Sequence, residues 1–172
     1  RRYGSGARAK PRASRRLKVV PLPTRPWFQG KPFIAKPIED HEDARGRFAT
    51  IENGKTFQHP IGAVAVLTSK AGTVRAEHRH KNEGHTCMLV SGKAVYHERN
   101  QAGLIAPVTM FPFVTVFTPP DVDHAFEFLE DSVMVVVANI SRTQTEYEAD
   151  VYRLKGDECL VQWACRCIDA WW

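Results

Sequence analysis

The sequence lacks any run of 18 or more apolar residues, which excludes an ordinary membrane-spanning helix. Its basic start lacks the apolar stretch and cleavage site that a signal peptide needs. Cysteine is scarce: four in 172 residues. Cys87 sits in an apolar run and reads as a small buried hydrophobe. Cys159, Cys165 and Cys167 form C-x5-C-x-C, which is not a standard zinc spacing and has no histidine nearby. Nothing in this usage demands an oxidising compartment, and the expected location is the cytoplasm.

Acidic residues are absent from the first 38 positions, which carry eleven Lys or Arg. The remainder holds thirteen cations against nineteen acids, a balance of −6. The overall charge of +5 therefore belongs to one end of the chain. A nucleic-acid partner is expected at most through that end. Its Arg, Pro, Ser and Gly content cannot bury enough apolar surface to fold alone. Residues 1–36 read as a basic disordered tail, 37–155 as one domain, and 156–172 as a C-terminal extension.

What is present in the middle is a series of short β-type runs. They fall at 47–52, 62–69, 73–80, 85–91, 93–98, 113–118, 124–129 and 132–140. Breaks such as Asn53-Gly54, Ser91-Gly92 and Pro119-Pro120 separate them. Eight strands with close turns and little helix predict an all-β sandwich or small barrel. The stretch "QTEYEADVYRL" fits either a short helix or a last strand.

Three of the seven histidines fall in "HRHKNEGH". On a strand, His78 and His80 point to one face, with Arg79 opposite. "KNEG" reverses the chain, so His85 returns beside the pair. His124 opens a further strand after Pro119-Pro120, sharing a face with Phe126 and Phe128. Neutral imidazole is the commonest transition-metal ligand, and four on neighbouring strands suit such an ion. His41 and His59 carry no pattern and read as surface residues. Tyr96 and His97 lie on opposite faces of one strand, so one of them at most faces a cavity.

This pattern resembles the first motif of the cupin superfamily, G-x5-H-x-H-x3-4-E-x6-G, over Gly72, His78, His80, His85 and Gly92. The second motif resembles Pro119 to Phe128, through His124. The resemblance implies a single cupin-type double-stranded β-helix, that is, a jelly-roll barrel. His85 stands where cupins usually carry a metal-binding Glu. Asp121 replaces a turn glycine, Phe128 an asparagine, and Phe113 another glycine. The implied ligand set for a divalent ion is His78, His80, His85 and His124, with iron, manganese, nickel, zinc and copper equally acceptable. Four neutral ligands leave the ion's charge uncompensated and favour a small anionic substrate.

A second resemblance is to cupin-fold nucleotide-sugar ketoisomerases and epimerases. It is carried by "DARG" (43–46) and by "RAEHRHK" (75–81). There the paired histidines act in proton transfer on a keto-sugar, without metal. Carried over, Arg75 binds phosphate or sugar, and His78 or His80 is the base. Three functions are thus expected in order: metal-assisted chemistry, metal-free isomerisation of a nucleotide-sugar, and non-enzymatic binding of a small molecule. A homodimer is expected, because a sheet edge needs cover.

Overall fold

The computed structural model describes residues 33–35, 40–50, 59–100 and 103–161. Most of the basic tail, and the tryptophans and cysteines after residue 161, lie outside the described residues.

Two five-stranded antiparallel sheets face each other. In chain order the strands are β1 (Phe33–Ala35), β2 (Asp40–Asp43), β3 (Gly46–Ala49), β4 (Ala63–Ser69), β5 (Thr73–His80) and β6 (His85–Ser91). They continue as β7 (Ala94–Asn100), β8 (Gly103–Met110), β9 (Thr115–Thr118), β10 (Asp123–Phe128), β11 (Ser132–Ala138) and β12 (Val151–Arg153). One sheet runs β1-β9-β6-β11-β4 and the other β12-β5-β10-β7-β8. This is the all-β jelly roll that the strand pattern and the cupin motifs imply. β5 and β6 have the bounds expected from the sequence.

Three differences have physical causes. β8 was not expected, because Pro107 interrupts its apolar pattern; it is an edge strand, where a missing amide costs no ladder bond. "QTEYEADVYRL" is both alternatives in succession: helix α1 (Gln144–Asp150), then β12. Thr143 caps α1 by accepting the Glu146 amide. The first sheet also begins before residue 37, since β1 pairs with β9.

The strand interiors meet in two zones. Leu89, Ala94, Tyr96, Met110, Val116, Phe126, Phe128, Met134 and Val136 form a continuous apolar core. Cys87 belongs to it, and burial pushes its thiol up to about 12, as expected of a small hydrophobe. Above that core, the inward positions are polar. His124 lies between His78 and Glu98 across β10, and His85 opposite Thr118.

The motif positions explain themselves through backbone conformation. Gly72 and Gly92 have φ of 75° and 86°, in the left-handed region. A Cβ on Gly92 would sit 2.5 Å from the Asp131 carbonyl oxygen, so only glycine fits. Asp121 and Phe113, which replace motif glycines, keep glycine-like φ of 60° and 69°.

No helix among the described residues is long and apolar enough to cross a membrane. Cys159 is disulfide-bonded and packs with Leu154 and Leu160, which corrects the expectation that no cysteine calls for an oxidising compartment. The segment it belongs to lies on the outer face of the second sheet. There the Glu77 carboxylate accepts the amides of Leu160 (2.9 Å) and Val161 (2.8 Å).

Candidate active site

The site is made by a bulge. Along β5, Arg75 pairs with Phe126 and His78 pairs with His124, and both partners face inward. Residues three apart on a regular strand face opposite ways. Ala76 and Glu77 have φ of 73° and 49°, and the register shifts there by one residue. That extra residue turns His78 and His80 to the side of Arg75. Without it, the histidines would face outward.

The four histidines do converge. Ring centroids are 4.6 Å apart for His78–His80, 4.7 Å for His78–His124, 4.8 Å for His85–His124 and 5.3 Å for His80–His85. All four are buried. His78, His85 and His124 line a cavity of 360 Å³; His80 stands behind them. Phe126, Cys87, Met134, Val136 and Leu67 supply its apolar wall, and Arg142, Gln144 and Tyr147 roof it. Arg75 also lines it, but its guanidinium is tied to Ser69 Oγ (2.7 Å) and the Thr68 carbonyl (3.1 Å).

Hydrogen bonds fix the tautomers. Burial pushes the Asp150 carboxyl up, but bonds from the Asn82 side chain and the Glu83 and Asn82 amides outweigh it and hold it below the usual range. It is therefore an acceptor, and His80 donates Nδ1–H to it at 3.2 Å. His80 Nε2 is then a lone pair, 3.1 Å from His78 Nε2, which donates. His78 keeps Nδ1 as its free nitrogen. His124 donates Nδ1–H to the Val122 carbonyl at 3.1 Å, leaving its Nε2 bare.

Electrostatics keep this group uncharged. Burial, then the neighbouring imidazoles and Arg142, push His78 and His85 far below their ordinary value. Burial and Arg142 lower His80 to about 4. Burial also takes His124 down to about 3, against its bond to Val122. All four imidazoles are thus neutral at neutral pH, and three of them face the cavity.

Four functional candidates escaped the sequence: Glu83, Arg142, Tyr147 and Asp150. Glu83 is buried, with Oε1 3.0 Å from His85 Nδ1 and 3.4 Å from His80 Nε2. The His85 contact is off line, so neither of its two atoms has a hydrogen bond. Burial pushes Glu83 up to about 7, despite Arg142 Nε at 3.2 Å from Oε2. Tyr147 and Asp150 share one face of α1 by their i, i+3 spacing. Reading "YEAD" as helix would have shown them together. His59, expected on the surface, is buried: it bonds Thr86 Oγ1 at 3.2 Å and stacks on Phe117. Tyr96 faces the core and His97 faces out to Glu127. The "DARG" segment is the exposed turn between β2 and β3, closed by Arg45 on Asp43.

No protein-family model and no curated protein matches the chain. Solved structures do match its fold. A sugar 3,4-ketoisomerase from Thermoanaerobacterium thermosaccharolyticum, a double mutant in complex with TDP, aligns with TM-score 0.62. It is 22% identical over 72% of this chain and 87% of that one. A 3'-monoepimerase from Streptomyces bikiniensis, in complex with dTDP-quinovose, aligns with TM-score 0.61 at 20% identity over 72% and 69%. A dTDP-4-dehydrorhamnose 3,5-epimerase from Sulfolobus tokodaii aligns with TM-score 0.62 at 17% identity over 73% and 77%.

These likenesses correct the expected divalent transition metal on His78, His80, His85 and His124. They fall on the second resemblance, in which paired histidines move protons without a metal. The donor atoms fall into two overlapping triads, His78–His80–His124 and His80–Glu83–His85, within 4.8 Å in each, a spacing that an ion could bridge. The His78–His80 nitrogens meet at a hydrogen-bond distance, and His80 spends Nδ1 on Asp150. The chain has the cupin-type jelly-roll fold, shared with the sugar-nucleotide ketoisomerases and epimerases of known structure.

Proposed function

We propose that the chain is a sugar-nucleotide ketoisomerase or epimerase, which moves a proton on the carbon next to the carbonyl of a TDP-linked keto-sugar. The chain Asp150–His80–His78, ending in the cavity, carries this reading. His78 Nδ1 takes the proton. The charge it gains is spread through Nε2–H to His80 and on to the ionised Asp150. His80 is a positioning residue, since it stands behind the cavity wall. Tyr147, whose ring centroid is 6.1 Å from that of His78, is the candidate acid that returns a proton. A deprotonated base beside a protonated phenol is the pairing such a shift needs. Burial raises the Tyr147 hydroxyl and keeps it protonated.

The 360 Å³ cavity lies near the small end of ligand pockets, which run from roughly 300 to 1,000 Å³. It suits the sugar, with the nucleotide towards solvent. Its two arginines, Arg75 and Arg142, suit an anionic ligand. The reading includes a homodimer: Val64 and Val66 are exposed on β4, an edge strand. Light scattering of a monomer at high concentration would remove the dimer.

Incubation with TDP-4-keto-6-deoxyglucose, followed by NMR of the sugar, tests the function. The expected result is a shifted carbonyl or an inverted centre. Tight TDP binding with no change in the sugar would make this a binding module instead.

A further inference from the structure

Proton removal beside a carbonyl creates a negative oxygen. The C–H electron pair becomes a C=C bond, the carbonyl pair moves onto oxygen, and the proton goes to His78. That oxygen needs a counter-charge. His78, His85 and His124 are neutral here, so they supply dipoles only. Two side chains lining the cavity carry a formal positive charge, Arg75 and Arg142. Arg75 is committed to Ser69 and Thr68 at the β4 side.

Arg142 is placed differently. Its guanidinium lies over the Tyr147 ring at 5.0 Å from the centroid. The Tyr147 ring in turn meets the rings of His78 and His80, at 6.1 and 5.6 Å. The cation thus stands at the histidine end of the cavity. Nε is held by Glu83, whose carboxylate is 1% exposed. An ion pair through Nε uses one edge of the guanidinium fork; the terminal amino groups remain able to hold an oxygen. The charge reaches the whole site, since it helps to lower His78, His80, His85 and His124.

We infer that Arg142 is a catalytic residue that pairs with the enolate oxygen, and that Glu83 is its positioning residue. This rests on the isomerase reading above. It also gives buried Glu83, which the proton chain does not use, a role.

The test measures kcat and KM for TDP-4-keto-6-deoxyglucose and the Kd of TDP for wild type, Arg142→Gln, Arg142→Lys and Glu83→Gln. Arg142→Gln is expected to lower kcat by about 10²- to 10³-fold, the usual loss for one oxyanion partner, with KM and TDP affinity nearly unchanged. Arg142→Lys keeps the charge and should retain more rate; it also serves if the glutamine variant fails to fold. Glu83→Gln should reduce kcat by a smaller factor with KM unmoved. Unchanged kcat in Arg142→Gln would overturn the inference while the isomerase reading stands. Loss of TDP affinity with kcat intact would also overturn it, by making Arg142 a diphosphate contact. Wild type without turnover would overturn the isomerase reading, and the inference with it.

Discussion

The barrel interior has a floor and a mouth built on the same strands. The floor is apolar: Phe128, Leu89, Met110 and Met134 are almost fully buried and belong to one hydrophobic cluster. The mouth is equally buried but polar: His78, His80, Glu83, His85, His124 and Glu98. A fold built for stability alone would not place six ionisable groups there, because each costs desolvation. The floor holds the strands in register, and the mouth uses that rigidity to hold groups in uncharged, bond-defined states. The bulge at Ala76 and Glu77 is the hinge between the two zones, since it turns β5 so that both Arg75 and His78 face in.

The sharpest division comes from exchanging one residue in each zone. His78→Gln should cut turnover by about 10²- to 10⁴-fold, the range for a lost general base, while urea unfolding changes little. Phe128→Ala should do the reverse. It should cost about 3–5 kcal/mol of unfolding free energy, through the buried ring and the cavity left behind. A His78→Gln variant that is badly destabilised, with normal turnover per folded molecule, would erase the distinction.

Acid should attack the mouth first. The unfolded chain protonates its histidines near 6.5, whereas His80 and His124 resist protonation until about 4 and 3 in the fold. The unfolded state therefore binds more protons in that window, and stability falls as pH drops from 6.5 towards 3. Each unit of depression is worth about 1.4 kcal/mol. His124→Asn should flatten this decline in urea titrations between pH 7 and pH 4. An equally steep decline in the variant would mean that His124 does not contribute.

The smallest effect should come from the substituted turn. Asp121→Gly restores the usual motif residue at φ of 60°. Relief of backbone strain and the greater freedom of the unfolded chain oppose each other, so stability should move by less than about 1 kcal/mol. A larger loss, by thermal melting, would show that Asp121 does more than turn the chain.

Floor and mouth also differ in how well they can be read from sequence. Strands β5 and β6, the turn glycines and the placing of His78 and His80 on one face follow from period-2 alternation and turn chemistry, whereas their turn inward needs the bulge at Ala76 and Glu77. β8 did not, because Pro107 reads as a break unless the strand is known to be an edge. The mouth's second ring was hidden for another reason. Asp150 and Tyr147 approach His80 and His78 from some 70 residues away in sequence. They do so on a seven-residue helix too short for a clear period. Imidazoles alone fit a metal as well as a proton chain. The carboxylate behind His80, on which the proton-chain reading rests, became visible only with the fold.

The central claim is that this histidine group moves a proton on a sugar without a metal. Deuterium incorporation into TDP-4-keto-6-deoxyglucose, followed by NMR in D₂O with and without a chelator, tests it directly. The account predicts incorporation at the carbon next to the carbonyl, at the same rate in both samples, and its loss in His78→Gln. No incorporation by wild type, or incorporation that the chelator stops and added metal restores, would contradict it.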